Sequence, residues 1–422
     1  MKLLIRSSVL FISLTICLVI TSLITFIFLI TVYNNSILLS NFSNKKLHAN
    51  CLAGIDYVLN EYESLELNKI HLIDLYGQQE DSIACIIKPW GIYDMVQVSS
   101  FHNGQSVSKG CLIGNKIEAP ASRVALYIAD KGSPVLVSGS YDIKGNVFLP
   151  ETGVKYVSQN SENYMEVWNK ISKNKSEKEL PELNHKILDP LLHKMEHVGS
   201  FTYEQNSFKM LYAQSDSIVN TSLDTLVYVT NNQANSIDVR KYKNVTLVST
   251  VPLVLQAASV FENVIIFAPA VTVSKGLKAK ALQIFCTDSI LLEEQVELSY
   301  PSVLGILKKD DAFNPFIRLK ENVQVAGCIF SIQKQFQQFN AIIYLNESST
   351  VIGDIFSQGI LEYKGKIIGS IYTNECNYFS YQSGYNKNTL MNPRIDALKL
   401  PSMYAVHNLN KIKSRKEIAR WF

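Results

Sequence analysis

From Val9 to Val32 the chain runs for 24 residues without a charged side chain. No other stretch constrains the fold as tightly. Seventeen of these residues are Ile, Leu, Phe or Val, and the rest are Ser, Thr and Cys17. As a helix the segment would measure about 36 Å, enough to cross a ~30 Å hydrocarbon core with tilt. A core helix of a soluble protein rarely runs this long without a polar face. The hydroxyls of Thr15, Thr21, Thr25 and Thr31 are expected to bond back to the helix's own carbonyls, which keeps their cost in lipid small. A signal peptide has a shorter apolar core, roughly 7–15 residues, followed by a small-x-small cut site. No such site follows Thr31-Val32-Tyr33-Asn34, and in Leu47-His48-Ala49-Asn50-Cys51 the residue before the cysteine is not the small one a lipoprotein site needs. The segment is therefore expected to stay attached. Lys2 and Arg6 precede it and the next charge is Lys45, so the positive-inside rule leaves the N-terminus in the cytoplasm and exports the rest.

Composition narrows what the exported part does. A net charge of +3 with 18% charged residues provides no basic stripe interleaved with aromatics, which argues against nucleic acid as a partner. Abundant Tyr and Phe, with many Val and Ile, lean towards strands. Cys51, Cys85, Cys111, Cys286, Cys328 and Cys376 lie beyond the span. Their even number permits disulfides, but their wide spacing shows no framework and no Cys-x-x-Cys occurs. Buried, small apolar side chains are the expected role.

Seven segments follow from the patterning: a cytoplasmic end (1–8), the span (9–32), an amphipathic stalk helix (33–66), a small β domain (67–159), a polar linker with a short helix (160–206), a β-solenoid (207–382) and a basic tail or cap (383–422). In the stalk, Cys51, Ile55, Val58, Leu59 and Tyr62 recur at helical steps, with Asn60, Glu61 and Glu63 opposite. Ser43-Asn44-Lys45-Lys46 interrupts the stripe, so the helix either continues there or bends. An apolar span running into an amphipathic helix resembles the N-terminal rod of type IV pilins and pseudopilins. The prepilin signal, a glycine cut site followed by Phe and then a Glu, is absent from this chain.

In the β domain the pattern predicts one hairpin from Ser82–Ile87 and Ile92–Phe101 across Lys88-Pro89-Trp90-Gly91. A second is predicted from Val124–Ala129 and Val135–Ser140. Trp90 reads as packing beside a turn. The linker is read as exposed, with a short helix near Leu191–His197 that takes no part in a core. Beyond it, Gly-x-Ile-Phe/Tyr recurs at Gly327-Cys328-Ile329-Phe330, Gly353-Asp354-Ile355-Phe356 and Gly369-Ser370-Ile371-Tyr372, with an earlier copy at Gly145-Asn146-Val147-Phe148. Repeats that cannot bury their own apolar faces stack on their neighbours. These rungs resemble the bactofilin-like, polymer-forming β-solenoids, a resemblance that implies a rigid non-enzymatic scaffold able to self-associate. In the tail, Lys411, Lys413, Arg415, Lys416 and Arg420 alternate with Ile412, Ile418 and Trp421-Phe422, and the segment is read as a capping helix.

Candidate chemistry is sparse. His193-Lys194-Met195-Glu196-His197 matches His-x-x-Glu-His, the inverzincin pattern in which two imidazoles on one helical face hold zinc beside a glutamate base. Here it sits in a polar connector beside Pro190, and a solvated helix face is the expected reading of His193, Glu196 and His197. Lys308-Lys309-Asp310-Asp311 is the one dense charge group in the repeat region and reads as a loop. No Gly-x-Ser-x-Gly, phosphate-binding loop or dinucleotide fingerprint occurs.

The expectation is thus a mainly β protein with an N-terminal transmembrane α-helix, whose small β domain precedes a parallel β-solenoid; an antiparallel β-sandwich is the alternative. No catalytic residue and no cofactor is called for. The expected setting is the inner membrane, crossed once, with a periplasmic or surface-directed body. The expected role is a structural part of the cell envelope or of a pilus-like or secretion assembly. Its partners would be the lipid bilayer, envelope or pilus-like assembly proteins and other copies of itself. The competing role is a carbohydrate-acting β-helix, either lyase, hydrolase or adhesin.

Overall fold

The computed structural model describes residues 7–74, 77, 82–102, 104–156, 173–196, 208–210, 218–220, 226–230, 236–237, 241–308, 314–333, 341–381, 384–409 and 414–422. The chain is mainly β with one long N-terminal helix. It divides into two compact units, Met1–Ile87 with Val96–Lys109, and Lys88–Met95 with Gly110–Phe422.

In the first unit, helix α1 (Ser7–Glu61) runs unbroken through Ser43-Asn44-Lys45-Lys46. Its second half buries Leu47, Cys51, Ile55 and Val58 on one stripe. The stripe faces a meander in the order β1 (His71–Asp74), β2 (Ser82–Trp90), β3 (Tyr93–His102), β4 (Gln105–Asn115). Gly54 sets the distance of approach: a Cβ there would come within 2.5 Å of Ile83 Cδ1 and 2.7 Å of Val98 Cγ1. The Cys51 thiol donates to the Val107 carbonyl at 3.2 Å.

In the second unit, β2 extends through Pro89 to Trp90, so the reversal falls at Gly91 (φ 64°) and Ile92, slightly later than the sequence placed it. Trp90 is buried in a core cluster, as a packing residue. The buried Gln283 amide ties the turn down, its Nε2 donating to the Trp90 carbonyl at 3.0 Å while the Ile92 N–H donates to its Oε1 at 3.1 Å.

The rest of this unit is a parallel, solenoid-like sheet. One inward column runs Leu247, Ile266, Ile284, Leu304, Ile329, Ile355, Ile371, Leu126 and Val147, each paired with the next and each fully buried. Every such side chain contributes roughly 1.5–3 kcal/mol by leaving water, before the entropy of ordering is set against it. The adjacent column is aromatic: Phe267, Phe285, Phe330, Phe356, Tyr372, Tyr127 and Phe148. Ring centroids along it lie 5.3 Å apart for Phe267–Phe285, 6.1 Å for Tyr372–Tyr127 and 5.5 Å for Tyr127–Phe148. Gly305 takes the column's place between Phe285 and Phe330, whose rings fill the space a side chain would need. The Gly-x-Ile-Phe/Tyr rungs are therefore in register, and Gly145-Asn146-Val147-Phe148 belongs to the same stack.

The glycines of the motif form their own column. Gly327, Gly353 and Gly369 have φ of 148°, 133° and 147°. A Cβ at Gly353 would strike the Gly327 carbonyl, and one at Gly369 would strike the Gly353 carbonyl. At another corner Asn244 and Asn263 take left-handed φ of 53° and 54°, which asparagine tolerates, and Asn263 Nδ2 donates to Asn244 Oδ1 at 2.9 Å.

Three expectations are corrected. The strands Val124–Ile128 and Val135–Ser138 do not pair as a hairpin. The first pairs in parallel with Ile371–Ser380 and Asn146–Leu149, and the second with Thr389–Met391 and Val154–Tyr156, so the repeat region's own neighbours claim them. The linker helix, His185–Glu196, is no bystander: Ile187, Leu188, Leu191, Leu192 and Met195 join a core cluster with Phe267 and Phe285 and cover the aromatic column. The basic tail ends in a strand, Lys416–Trp421, antiparallel to β4 through Ile418 and Ile113, and not in a capping helix.

Candidate membrane anchor and candidate chemical sites

The apolar half of α1 carries the first candidate function. It is exposed along its whole apolar window. Leu18 is 67% exposed and Ile24 62%, values that would drive aggregation if water were the only solvent available. Its hydroxyls are satisfied internally, with Thr15 Oγ1 donating to the Ile12 carbonyl at 2.9 Å, Thr21 to Cys17 at 2.7 Å, Thr25 to Thr21 at 2.8 Å and Thr31 to Ile27 at 2.9 Å. The Ser13 hydroxyl likewise donates to the Leu10 carbonyl at 3.0 Å. Among the described residues this is a helix long and apolar enough to cross a membrane.

The sequence-level metal candidates are only partly described. His193 lies exposed on the helix His185–Glu196, with Lys194 Nζ 5.8 Å from the Phe267 ring centroid. His197 and the side chain of Glu196 lie outside the described residues, as do Asp310 and Asp311. Among the described residues no group of three His, Cys, Asp or Glu side chains is placed to hold a metal ion. All seven cysteines are free thiols, Cys17 exposed on α1 and the other six buried. Burial pushes the Cys111 thiol up to about 12 and the Cys286 and Cys328 thiols well above their ordinary value, so these three are not activated nucleophiles.

A cluster the sequence did not flag lies under the C-terminal segment. The Leu409 N–H donates to His407 Nδ1 at 3.2 Å, and the ring's Nε2 lies 3.4 Å from Asp354 Oδ2. At that distance the pair is an electrostatic contact more than a hydrogen bond. The Tyr404 hydroxyl donates to the Gly327 carbonyl at 2.8 Å, and the Ala405 N–H donates to the Tyr300 hydroxyl at 3.0 Å. Burial pushes both phenols above their usual range, so they stay neutral. Catalysis needs an opening to substrate, and His407 and Asp354 are 2% and 5% exposed.

Further along, Lys416, one of the basic residues of the expected capping helix, is buried. Its Nζ lies 2.8 Å from both Asn115 Oδ1 and Asn408 Oδ1, and Asn408 Nδ2 donates to Asp94 Oδ2 at 2.6 Å. Arg420 pairs with Glu262 at 2.8 Å. Arg420 fastens the C-terminal strand to the stack, while Lys416 and Asn408 fasten these residues to Asn115 of β4 and Asp94 of β3. Only their separation in sequence hid them, for Asp94 and Asn408 sit in unrelated segments.

The features on hand define a mainly β protein with a candidate membrane-crossing helix at its N-terminus and a parallel, solenoid-like sheet beside antiparallel strands. No family model matches the chain, and no curated protein matches it. Among solved structures it is similar to the competence-associated pilin ComZ from Thermus thermophilus, at 8% identity over 85% of this chain and 86% of that one, with a TM-score of 0.24. A score of that size does not establish a shared fold.

Proposed function

We propose that the chain is a single-pass membrane protein whose exported body acts by shape, as a rigid structural component of the bacterial envelope or of a pilus-like assembly. The supporting observation is the division of labour within α1. Its first half exposes an unbroken apolar surface, and its second half buries Leu47, Cys51, Ile55 and Val58 in folded protein. One continuous helix thus joins a lipid-compatible surface to a β-rich body. Lys2 and Arg6 ahead of the span support a cytoplasmic N-terminus and a periplasmic or surface-directed body. The buried thiols, phenols and His407 support a scaffold with no chemistry of its own. Partners on this reading are the lipid bilayer, neighbouring assembly proteins and further copies of the chain.

Membrane flotation after a carbonate wash tests the anchor. The wild type is expected to float with the lipid, and Leu18→Arg with Ile24→Arg together is expected to move the protein to the soluble or aggregated fraction. On insertion scales each arginine near the helix centre costs roughly 2.5–3.5 kcal/mol. A wild-type chain recovered in the soluble fraction overturns the proposal.

A further inference from the structure

On one outer face of the stack, successive turns place unlike side chains in a row. Arg318 pairs with Tyr344, Tyr344 with Glu362, and Glu362 with Asn377. Neighbouring strands stand ~4.8 Å apart, so Arg318, Tyr344 and Glu362 place charge, ring and charge at a repeat close to that of pyranose rings in an extended chain, while the Asn377 amide is buried behind them. Beside the row rises a hairpin, Ile371–Ser380 with Gly384–Asn386, in which Phe379 pairs with Tyr385. Tyr381, at its tip, is fully exposed, and its ring meets Phe379 edge-on at 5.6 Å. Floor and hairpin enclose a groove of about 520 Å³, lined by Arg318, Tyr344, Glu362, Lys364, Tyr381 and Tyr385, among others.

The charges in this groove are not equivalent. Lys364 is 3.3 Å from Glu362, and Lys320 at the rim is 2.6 Å from Glu293, so both cations are already paired. Arg318 is exposed and forms no ion pair with a described residue. Its guanidinium is instead held over two rings, 4.6 Å from the Tyr344 centroid and 5.4 Å from the Phe316 centroid. Stacking of this kind fixes the plane of the guanidinium and leaves its N–H edge free for a planar, bidentate anion. A carboxylate is such an anion. The exposed rings of Tyr381 and Tyr385 offer flat apolar faces with polar edges, the surface a sugar's C–H face covers while its hydroxyls stay wet.

We propose that this groove binds an acidic polysaccharide, with pyranose rings on Tyr381 and Tyr385 and a uronate carboxylate on Arg318, which Tyr344 holds in place. A nucleic acid would ask for several unpaired cations, and an apolar peptide for a deeper, drier slot; the groove supplies neither. The inference goes beyond the scaffold role, for a scaffold needs no aromatic groove.

Isothermal titration of the full-length protein in detergent micelles tests it, with oligogalacturonate and alginate oligomers as ligands, dextran as the neutral sugar and polyglutamate as a charge control. Saturable binding of at least one uronate oligomer is expected. Tyr381→Ala, at a fully exposed position, should weaken it about tenfold, equivalent to ~1.4 kcal/mol. Arg318→Gln should narrow the preference for uronate over dextran. Three results would each overturn the proposal: no binding of either uronate, equally tight binding of polyglutamate, or unchanged affinity in Tyr381→Ala and Arg318→Gln.

Discussion

Ile371 and Leu126 lie side by side in one parallel ladder, although Leu126 precedes the whole repeat region in the chain. The strands Val124–Ile128 and Asn146–Leu149 thus continue the stack at the end where Ile371 would otherwise face water, with Lys173–Lys175 paired beyond them. The N-terminal strands finish what the C-terminal rungs leave open.

Leu126→Ala is therefore expected to lower stability by about 2–5 kcal/mol, the range for deleting a buried leucine. Leu398→Ala, at a residue 45% exposed, should change it by less than about 0.5 kcal/mol. Urea unfolding followed by circular dichroism checks this, and equal effects at the two positions would contradict the placement of Leu126.

Ala281 continues the asparagine corner of Asn244 and Asn263, with φ 51°, yet it has no side-chain amide. Holding an alanine in the left-handed region costs roughly 1–2 kcal/mol. Asn263 Oδ1 is buried there without a hydrogen-bond partner among the described residues. Ala281→Asn should relieve the backbone and supply an N–H to that oxygen, raising the urea midpoint by the equivalent of about 1 kcal/mol. Ala281→Gly should also raise it, by less, because glycine brings no amide. A fall in the midpoint for both variants would refute this account of the corner.

Gly353→Ala should be severe, at about 3 kcal/mol or more, since its Cβ would meet the Gly327 carbonyl and the Tyr404 hydroxyl. Gly132→Ala is the comparison. It also has positive φ, 75°, but nothing lies within 4 Å of the added carbon, so only the ~1 kcal/mol backbone cost applies. Thermal unfolding of the two variants distinguishes packing from conformational strain.

Burial raises the thiols of Cys111, to about 12, and of Cys286 and Cys328. In the unfolded chain a thiol ionises near pH 8.5. Between roughly pH 8.5 and 12 the unfolded state has therefore released a proton that the folded state still holds at Cys111. Stability falls as pH rises through that window, by about 1.4 kcal/mol per pH unit for each such group. The urea midpoint should drop between pH 8 and pH 10, and Cys111→Ala should drop less steeply. A flat profile would mean that these thiols meet solvent in the native state.

Much of the architecture was legible where the signal is local. The uncharged run Val9–Val32 needed no partner to be read, and Gly-x-Ile-Phe/Tyr spells out corner, inward residue and outward ring in order. What stayed hidden depends on partners far away in the chain. Val124–Ile128 and Val135–Ser138 alternate as any half-buried strands do, and alternation does not say whether a neighbour runs parallel or antiparallel. The helix His185–Glu196 carries its apolar stripe within a polar composition, so charge density masked a helical period that was present. Lys416 and Ile418 read as the basic and the apolar side of a capping helix, but the same alternation of types also fits the strand they form. The groove residues Arg318, Tyr344 and Tyr381 come from different turns, and only the register brings them together.

The central claim is that the stacked body stands on the far side of the membrane from the N-terminus. Spheroplasts carrying the full-length chain with a C-terminal epitope, treated with protease before and after lysis, test it most directly. The account predicts loss of the epitope in intact spheroplasts while a cytoplasmic control protein survives. An epitope protected until lysis would place the body in the cytoplasm and contradict it.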